Sequence, residues 1–489
     1  MRLPHNSIKF KKTEQRLKHT KEQLLQTKEH LLQTKNQLLQ TKEHLLQTRE
    51  RLICEHKARK QAKRLRKQVR KAHGNQHWYK RQQLLPILKH LLPMWIIGLL
   101  LVVSTHAKAQ ILERVFSENF RIDTIPEGSL RAEVDAVAFF HDNEYQSSIL
   151  DGYSLPGIRL TPHLAFNPLK QVNIEAGASM LFYNGANKYP CYAYHDIGTW
   201  KGNQYQSGCH VLPWVRLQAS LKHLDVVVGN IYGGSNHKLT APMFNAEQNL
   251  SADPEMGAQI LVHRKHFVSD TWLNWQSYIF ELDSHQEAFT VGESMRILWG
   301  KTDQKLQWFT PIQVTIQHRG GEQDTTAMGV QTFCNASVGI GCYIQPIRKN
   351  IDYVSGQLAA LASYQQSGHY WPFDTGFALH VGAEMGLLKH LHLAADYFQA
   401  PKQYANLFGN PFFGTMSLAD KSLTFKGMKA IRAGVGYEYI FAKAYTLGAH
   451  AELFCLNTKN KSTEEKVTET NFSFGLYFRV SPSFLIKRF

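Results

Sequence analysis

Charged side chains recur at every second position along much of this chain. Arg131, Glu133 and Asp135 alternate with Leu130, Ala132, Val134 and Ala136, and Glu175 sits between Ile174 and Ala176. Arg159, Arg216, Arg296, Glu384, Arg432, Glu438, Glu452 and Arg479 occupy similar settings. Two kinds of chemistry could use them. A histidine beside a carboxylate suits general acid–base transfer. His380 with Glu384, and His450 with Glu452, are spaced for it. Alternatively, mixed charges along one wet wall brace that wall or set the ion preference of a passage. Acyl transfer would also need an activated nucleophile, and the sequence holds no Gly-x-Ser-x-Gly, HExxH or glycine-rich phosphate loop. The reading is therefore of a non-enzyme with no catalytic residue, cofactor or metal. The twelve charged residues above are its candidate pore lining.

Such a wall needs elements whose side chains alternate faces, and the sequence supplies them. In 471–480, Phe472, Phe474, Leu476, Phe478 and Val480 oppose Asn471, Ser473, Gly475, Tyr477 and Arg479. A period of two is a strand with one apolar and one polar face. The runs are about ten residues long, the length a tilted strand needs to cross a bilayer. In lipid every backbone group must be paired, so such strands close into a barrel. Sixteen runs can be counted between 130 and 480. Polar stretches at 184–210, 233–255, 400–428 and 455–470 alternate with short connections near 168–170, 387–388 and 441–443. Long external loops and short periplasmic turns have that rhythm. The fold expected is an all-β transmembrane antiparallel β-barrel of about 16 strands over 110–489. Interior positions such as Ser473 are expected to face water, and the 184–210 loop is long enough to fold inward.

The net charge of +17 belongs to the N-terminus. Residues 1–93 carry 24 Lys and Arg against 6 Glu and no Asp. The remainder is close to neutral, so the basic balance says nothing of nucleic acid, and none is expected as a partner. Residues 1–83 form a basic extension. Leu24, Leu31, Leu38, Leu45 and Leu52 recur every seven residues, the spacing of a helical coiled coil that could self-associate, with Thr27, Thr34, Thr41 and Thr48 as weak partners in its seam. Residues 84–109 read as a signal-like segment. Its apolar run, Met94–Val103, is too short to span, and Ala107-Lys108-Ala109 before Gln110 fits leader-peptidase cleavage between Ala109 and Gln110. Export to an oxidising compartment would let Cys191 pair with Cys209, and Cys334 with Cys342.

Asp225–Asn230, the turn at 253–257 (Asp-Pro-Glu-Met-Gly) and Trp272–Ser277 resemble segments of the porin-like outer-membrane proteins of the Bacteroidetes. The resemblance implies a single-chain barrel in the outer membrane of a Gram-negative bacterium, surrounded by outer-membrane lipid. It also implies a final strand ending on an aromatic residue that the barrel-assembly machinery reads. Phe489 fits that ending, but Pro482 interrupts the run. The function expected is a porin or solute channel passing small polar solutes with weak charge selectivity. A barrel enzyme acting on lipid or glycan, and an anchored coiled-coil protein with a periplasmic β domain, are the alternatives.

Overall fold

The computed structural model describes residues 115–489, apart from 119, 123, 187–205, 280–284, 301–304, 322–328, 346–348, 370, 419, 421 and 443. The heptad extension, the signal-like segment, the Ala109–Gln110 junction and Cys191 lie outside the described residues.

The strands are β1 Ser129–Gln146, β2 Asp151–Leu169, β3 Val172–Ala186, β4 Gln206–Leu221, β5 Leu224–Asn230 and β6 Met256–Arg264. They continue as β7 Phe267–Ser277, β8 Ala288–Trp299, β9 Leu306–Arg319, β10 Gln331–Ile344, β11 Ile351–Ser367 and β12 Thr375–Leu387. The last are β13 Leu391–Ala400, β14 Phe425–Phe441, β15 Tyr445–Asn460, β16 Lys466–Val480 and β17 Ser483–Arg488. Each is antiparallel to its sequence neighbours up to β16, and β1 also pairs with β16 and β17, which closes the sheet. The pairs Ala136↔Val480 and Glu133↔Ser483 share one register. The Val134 N–H donates across the gap to the Pro482 carbonyl at 3.2 Å. So β16 and β17 are one strand, and the barrel has sixteen. Pro482 lacks an N–H to give the ladder, but it leaves its carbonyl in place. Phe489 follows β17, its N–H donating to the Gly128 carbonyl at 2.9 Å and its ring meeting Phe166 edge-on. Gly128 has φ +75, and a Cβ there would stand 2.5 Å from the Phe489 carbonyl oxygen, so this seam needs glycine.

The two faces are inverted relative to a water-soluble sheet. Leu476 is 56% exposed and Leu164 49% exposed on the outside, while Asn167, Gln218, Asn335 and Asn471 are buried inside. Apolar outside and polar inside is the partition a bilayer selects. Trp299, Trp308, Tyr437, Tyr439, Tyr445 and Phe478 gather on the outer wall near the short-turn end. Strands end in short turns at 170–171, 222–223, 265–266 and 388–390, and in longer connections at the other rim.

The longer connections do not all extend outward. Residues 231–255, with a 3-10 turn Gly234–His237 and a single helical turn α1 Gln248–Ser251, are largely buried. So are most of 404–417. Tyr404, Phe408, Phe412, Phe413 and Met416 from the second loop join Met243, Phe244 and Leu250 from the first, against Tyr145, Phe398 and Phe454 of the wall. This is a compact apolar core inside the barrel. The stretch 455–470, expected as a long loop, is mostly strand, and only 461–465 connects β15 to β16. Lys and Glu there obscure the alternation, which continues because both faces have left the membrane. The N-terminal segment also lies inside. The Arg479 guanidinium donates to the carbonyls of Val115 and Ser117, Gln218 donates to the Phe120 carbonyl at 2.8 Å, and Val115 is buried.

Candidate functional site: the charged interior wall

All twelve charged positions singled out from the alternation fall on the inward parity of their strands. The structure groups them into braces that the sequence spacing did not show.

The most buried brace crosses β13, β14 and β15. Asp396↔Arg432 are directly paired, and Glu452 lies one strand further. Arg432, 1% exposed, donates from Nε to Asp396 Oδ2 at 2.8 Å and from Nη1 to Glu452 Oε1 at 3.0 Å. His380 Nε2 meets the other Asp396 oxygen at 2.8 Å. Thus the two sequence-spaced acid–base pairs are split. His380 engages Asp396 rather than Glu384, and Glu452 engages Arg432 rather than His450. His450 instead faces His141, Nε2 to Nδ1 at 3.1 Å, with the rings stacked over Gly475. A Cβ at 475 would lie 2.4 Å from the His450 ring. His141 Nε2 in turn lies 3.5 Å from Glu247 of the inward loop, which also accepts from Asn143 Nδ2 at 3.0 Å.

A second brace spans β1 to β4. Arg216 bonds Glu118 of the N-terminal segment at 2.9 Å, lies 3.7 Å from Glu175, and donates through Nε to the Asn230 carbonyl at 2.7 Å. Its guanidinium sits 3.9 Å from the Tyr232 ring centre. Glu175 also accepts from Trp214 Nε1 and Asn173 Nδ2, both at 2.9 Å. Arg131 bonds Glu133 at 2.6 Å, and His163 lies 3.3 Å from the other Glu133 oxygen. Ser483 donates to Glu133 at 2.7 Å. Hydroxyl and imidazole here meet through the carboxylate. In a Ser-His-acid triad the imidazole lies between the two and takes the hydroxyl proton. Arg479 holds Asp135 through two bonds, of 2.9 and 3.1 Å, and Arg159 donates to the Ala252 carbonyl. Arg296 lies over the Phe309 ring at 5.1 Å, and Glu384 and Glu438 line β12 and β14.

The loop 231–255 carries a clamp that the sequence reading missed. His237 Nδ1 meets Asp270 Oδ2 at 2.8 Å, its Nε2 meets Glu255 Oε2 at 3.1 Å, and its ring stacks on Trp272 at 3.6 Å between centres. Burial alone would lower the imidazole's pKa, but Asp270 and Glu255 outweigh it and raise it from the usual 6.5 to about 9. Burial likewise opposes ionisation of Glu255, and the His237 cation and the Gly234 N–H overcome it, so its pKa is lowered. Asp270 falls on the polar parity of β7 and could have been found from alternation, but its loop partner could not. Because the folded pKa is raised, this clamp contributes its full stability below pH 6.5 and loses it as pH rises through about 9. Backbone amides of 232–240 should therefore exchange faster at pH 10 than the intrinsic rate explains. His237→Gln should remove that step. A step of unchanged size in His237→Gln would show that another group causes it.

The cysteine expectation is corrected in part. Cys334 and Cys342 lie on the same face of β10, eight residues apart, roughly 26 Å along a strand at 3.3 Å per residue. No disulfide spans that distance, and both are free. Cys209 is also free, exposed on β4. Ser473 needs correction too. It is 1% exposed, not in open water.

Comparison with solved structures finds chains of low similarity, outer-membrane proteins among them. OccAB4 of Acinetobacter baumannii matches at 10% identity, covering 74% of this chain and 100% of its own, with a TM-score of 0.39. The outer-membrane protein OpdK of Pseudomonas aeruginosa matches at 8%, covering 73% and 100%, with a TM-score of 0.39. A loop-deleted OmpT of Vibrio cholerae, an outer-membrane protein, matches at 10%, covering 73% and 100%, with a TM-score of 0.39. The barrel itself rests on the strand ladder above. No curated protein matches the chain. The family model described as lipid A 3'-O-deacylase-type matches residues 122–489, the whole barrel, and the chain belongs to that family.

Proposed function

We propose that this chain is an outer-membrane barrel of a Gram-negative bacterium that passes small polar solutes through a lumen narrowed by the loops 231–255 and 401–424. One observation carries the reading: a continuous polar interior wall with two loops folded against it and packed around a shared apolar core. Charge preference should be weak, because interior Arg and carboxylates neutralise one another pairwise. Surrounding outer-membrane lipid and recognition of the Phe489 end by the barrel-assembly machinery belong to the same reading. Arg216 and Arg432 cannot serve as simple selectivity probes, since replacing either breaks a buried brace.

Planar-bilayer recording tests this. Purified protein should show small unitary conductance, and excising 405–416 should raise it several-fold by removing the apolar plug. No conductance from either folded protein would overturn the channel reading.

Membership of the deacylase-type family favours a second reading, hydrolysis of an acyl ester of lipid A. It is checked by mass spectrometry of lipid A from cells with and without the protein. Loss of one acyl chain on expression would support it.

A further inference from the structure

The connections at the two ends of the barrel carry opposite charge. Those at the short-turn rim are 170–171, 222–223, 265–266, 300–305, 345–350, 388–390 and 442–444. In sequence they hold nine Lys or Arg against one Asp. The connections at the other rim, the two inward loops included, hold six Lys against thirteen Asp or Glu. Loop length does not explain the difference, because the rim with fewer residues has more cations.

Every short connection contributes. Lys170 follows β2, Lys222 follows β4 and Lys265 follows β6. Lys305 precedes β9, Lys349 lies between β10 and β11, and Lys389 lies between β12 and β13. The sequence adds Lys443 between β14 and β15. Lys487 and Arg488 end β17 beside β1. The sheet closes on itself, so these cations form a ring at every second seam rather than a patch on one side.

The ring is open to a partner. Lys170, Lys222, Lys265, Lys305, Lys349 and Lys389 are exposed, and no carboxylate among the described residues pairs with their ammonium groups. Asp352 at this rim accepts the backbone N–H of Lys389 at 2.6 Å instead. At the other rim, by contrast, Lys426 is bonded to Glu464.

The depth of the ring fits a headgroup layer. Trp299 directly precedes 300–305, Trp308 lies three residues beyond Lys305, and Tyr445 opens β15 after 442–444. Three residues of strand span about 10 Å, so the lysines stand just outside the aromatic belt, where acyl chains give way to headgroups. A lysine stem can lie along apolar surface while its ammonium stays in the polar layer. A folded protein partner would cover one sector of such a ring, whereas a headgroup layer meets all of it.

We propose that the short-turn rim is a collar for anionic phospholipid. The lysines of the turns draw phosphate headgroups of the leaflet on that side into the shell of lipid around the barrel. Phosphate is the group recognised. A headgroup with no ammonium of its own is preferred, because a zwitterionic one brings a cation that the ring repels. The other rim, where acids outnumber lysines, exerts no such pull. The inference concerns how the barrel is seated in its membrane, and it stands whether the lumen conducts or the chain is a hydrolase.

Spin-labelled phosphatidylglycerol and phosphatidylcholine test the collar, each added to the full chain folded in phosphatidylcholine bilayers. Electron spin resonance separates lipid held at the barrel from bulk lipid. In about 10 mM salt, where the Debye length is roughly 30 Å, phosphatidylglycerol should associate roughly threefold or more better than phosphatidylcholine. In about 1 M salt, where that length is roughly 3 Å, the two should approach equality. Lys170→Gln combined with the same change at 222, 265, 305, 349 and 389 should lose most of the preference. Lys402→Gln with Lys461→Gln, at the other rim, should keep it. Equal association of the two lipids with the wild type at low salt would overturn the proposal. An undiminished preference in the six-fold variant would do the same. If that variant does not fold, two three-fold variants taken from alternate turns decide, and full preference in both refutes the collar. A wild type that sediments with peptidoglycan yet shows no lipid preference would assign the ring to that polymer and overturn the proposal as well.

Discussion

Arg432→Ala should be among the most damaging single substitutions in the barrel, lowering stability by about 3–5 kcal/mol. The guanidinium neutralises Asp396 and Glu452 across three strands, with Arg432 and Asp396 buried and Glu452 partly buried. Removing it leaves two carboxylates facing each other in a medium that solvates them poorly, and His380 alone remains to offset Asp396. The whole brace contributes less than that loss suggests, because desolvation of the ions opposes their attraction. The triple change Arg432→Met, Asp396→Asn, Glu452→Gln should therefore recover most of the stability. Arg131→Ala should cost less, since its pair with Glu133 is partly solvated. Urea titration of lipid-embedded protein, read by heat-modifiable gel mobility, gives all three midpoints. An unchanged midpoint for Arg432→Ala would sink the account of the wall as mutually braced.

On the outer face, Ala449→Arg should cost about 2–4 kcal/mol if the position lies near the bilayer midplane. Ala449 pairs with Leu476 on one side and Tyr437 on the other, and all three point outward. A guanidinium there is held among acyl chains, four residues or about 13 Å along β15 from Tyr445 of the aromatic belt. Asn457→Arg, on the same face of β15 but at its other end, should cost about 1 kcal/mol or less, because it reaches the headgroup region. The same gel-mobility titration separates the two. Equal costs would contradict a membrane-spanning β15. Ser473→Arg should be damaging as well, although Ser473 lies on the polar face of β16. Ser473 is 1% exposed and pairs with Asn143, which bonds Glu247 of the inward loop, so a large cation there disturbs that contact.

What the sequence determined by itself was whatever depends on period two. Facing is a local property of a strand, so alternation placed Arg131, Arg216, Arg432 and Arg479 on the inside and Phe472, Phe474 and Leu476 on the outside. Run length and the pairing demand of lipid then required closure, and sixteen strands followed. The alternation was hardest to follow where both faces became polar, which is why β15 and β16 were cut short. Pro482 looked like an end because a proline breaks a ladder. The Ser481 N–H still donates to the Ala444 carbonyl at 2.8 Å, but beyond it the strand pairs with β1, and the break at Pro482 costs little.

Tertiary structure alone decided which charges meet. Cross-strand neighbours such as Asp396 and Arg432 are 36 residues apart, and His141 and His450 are 309 apart. Their contact depends on register and closure, which no local pattern encodes. Nor could composition show that 231–255 and 401–424 turn inward. Their Phe, Tyr and Met side chains look like loop texture until the two loops are placed side by side. A sixteen-stranded lumen is too wide for wall side chains to fill. The apolar groups of the two loops bury one another there, and the polar wall supplies the partners their backbones require.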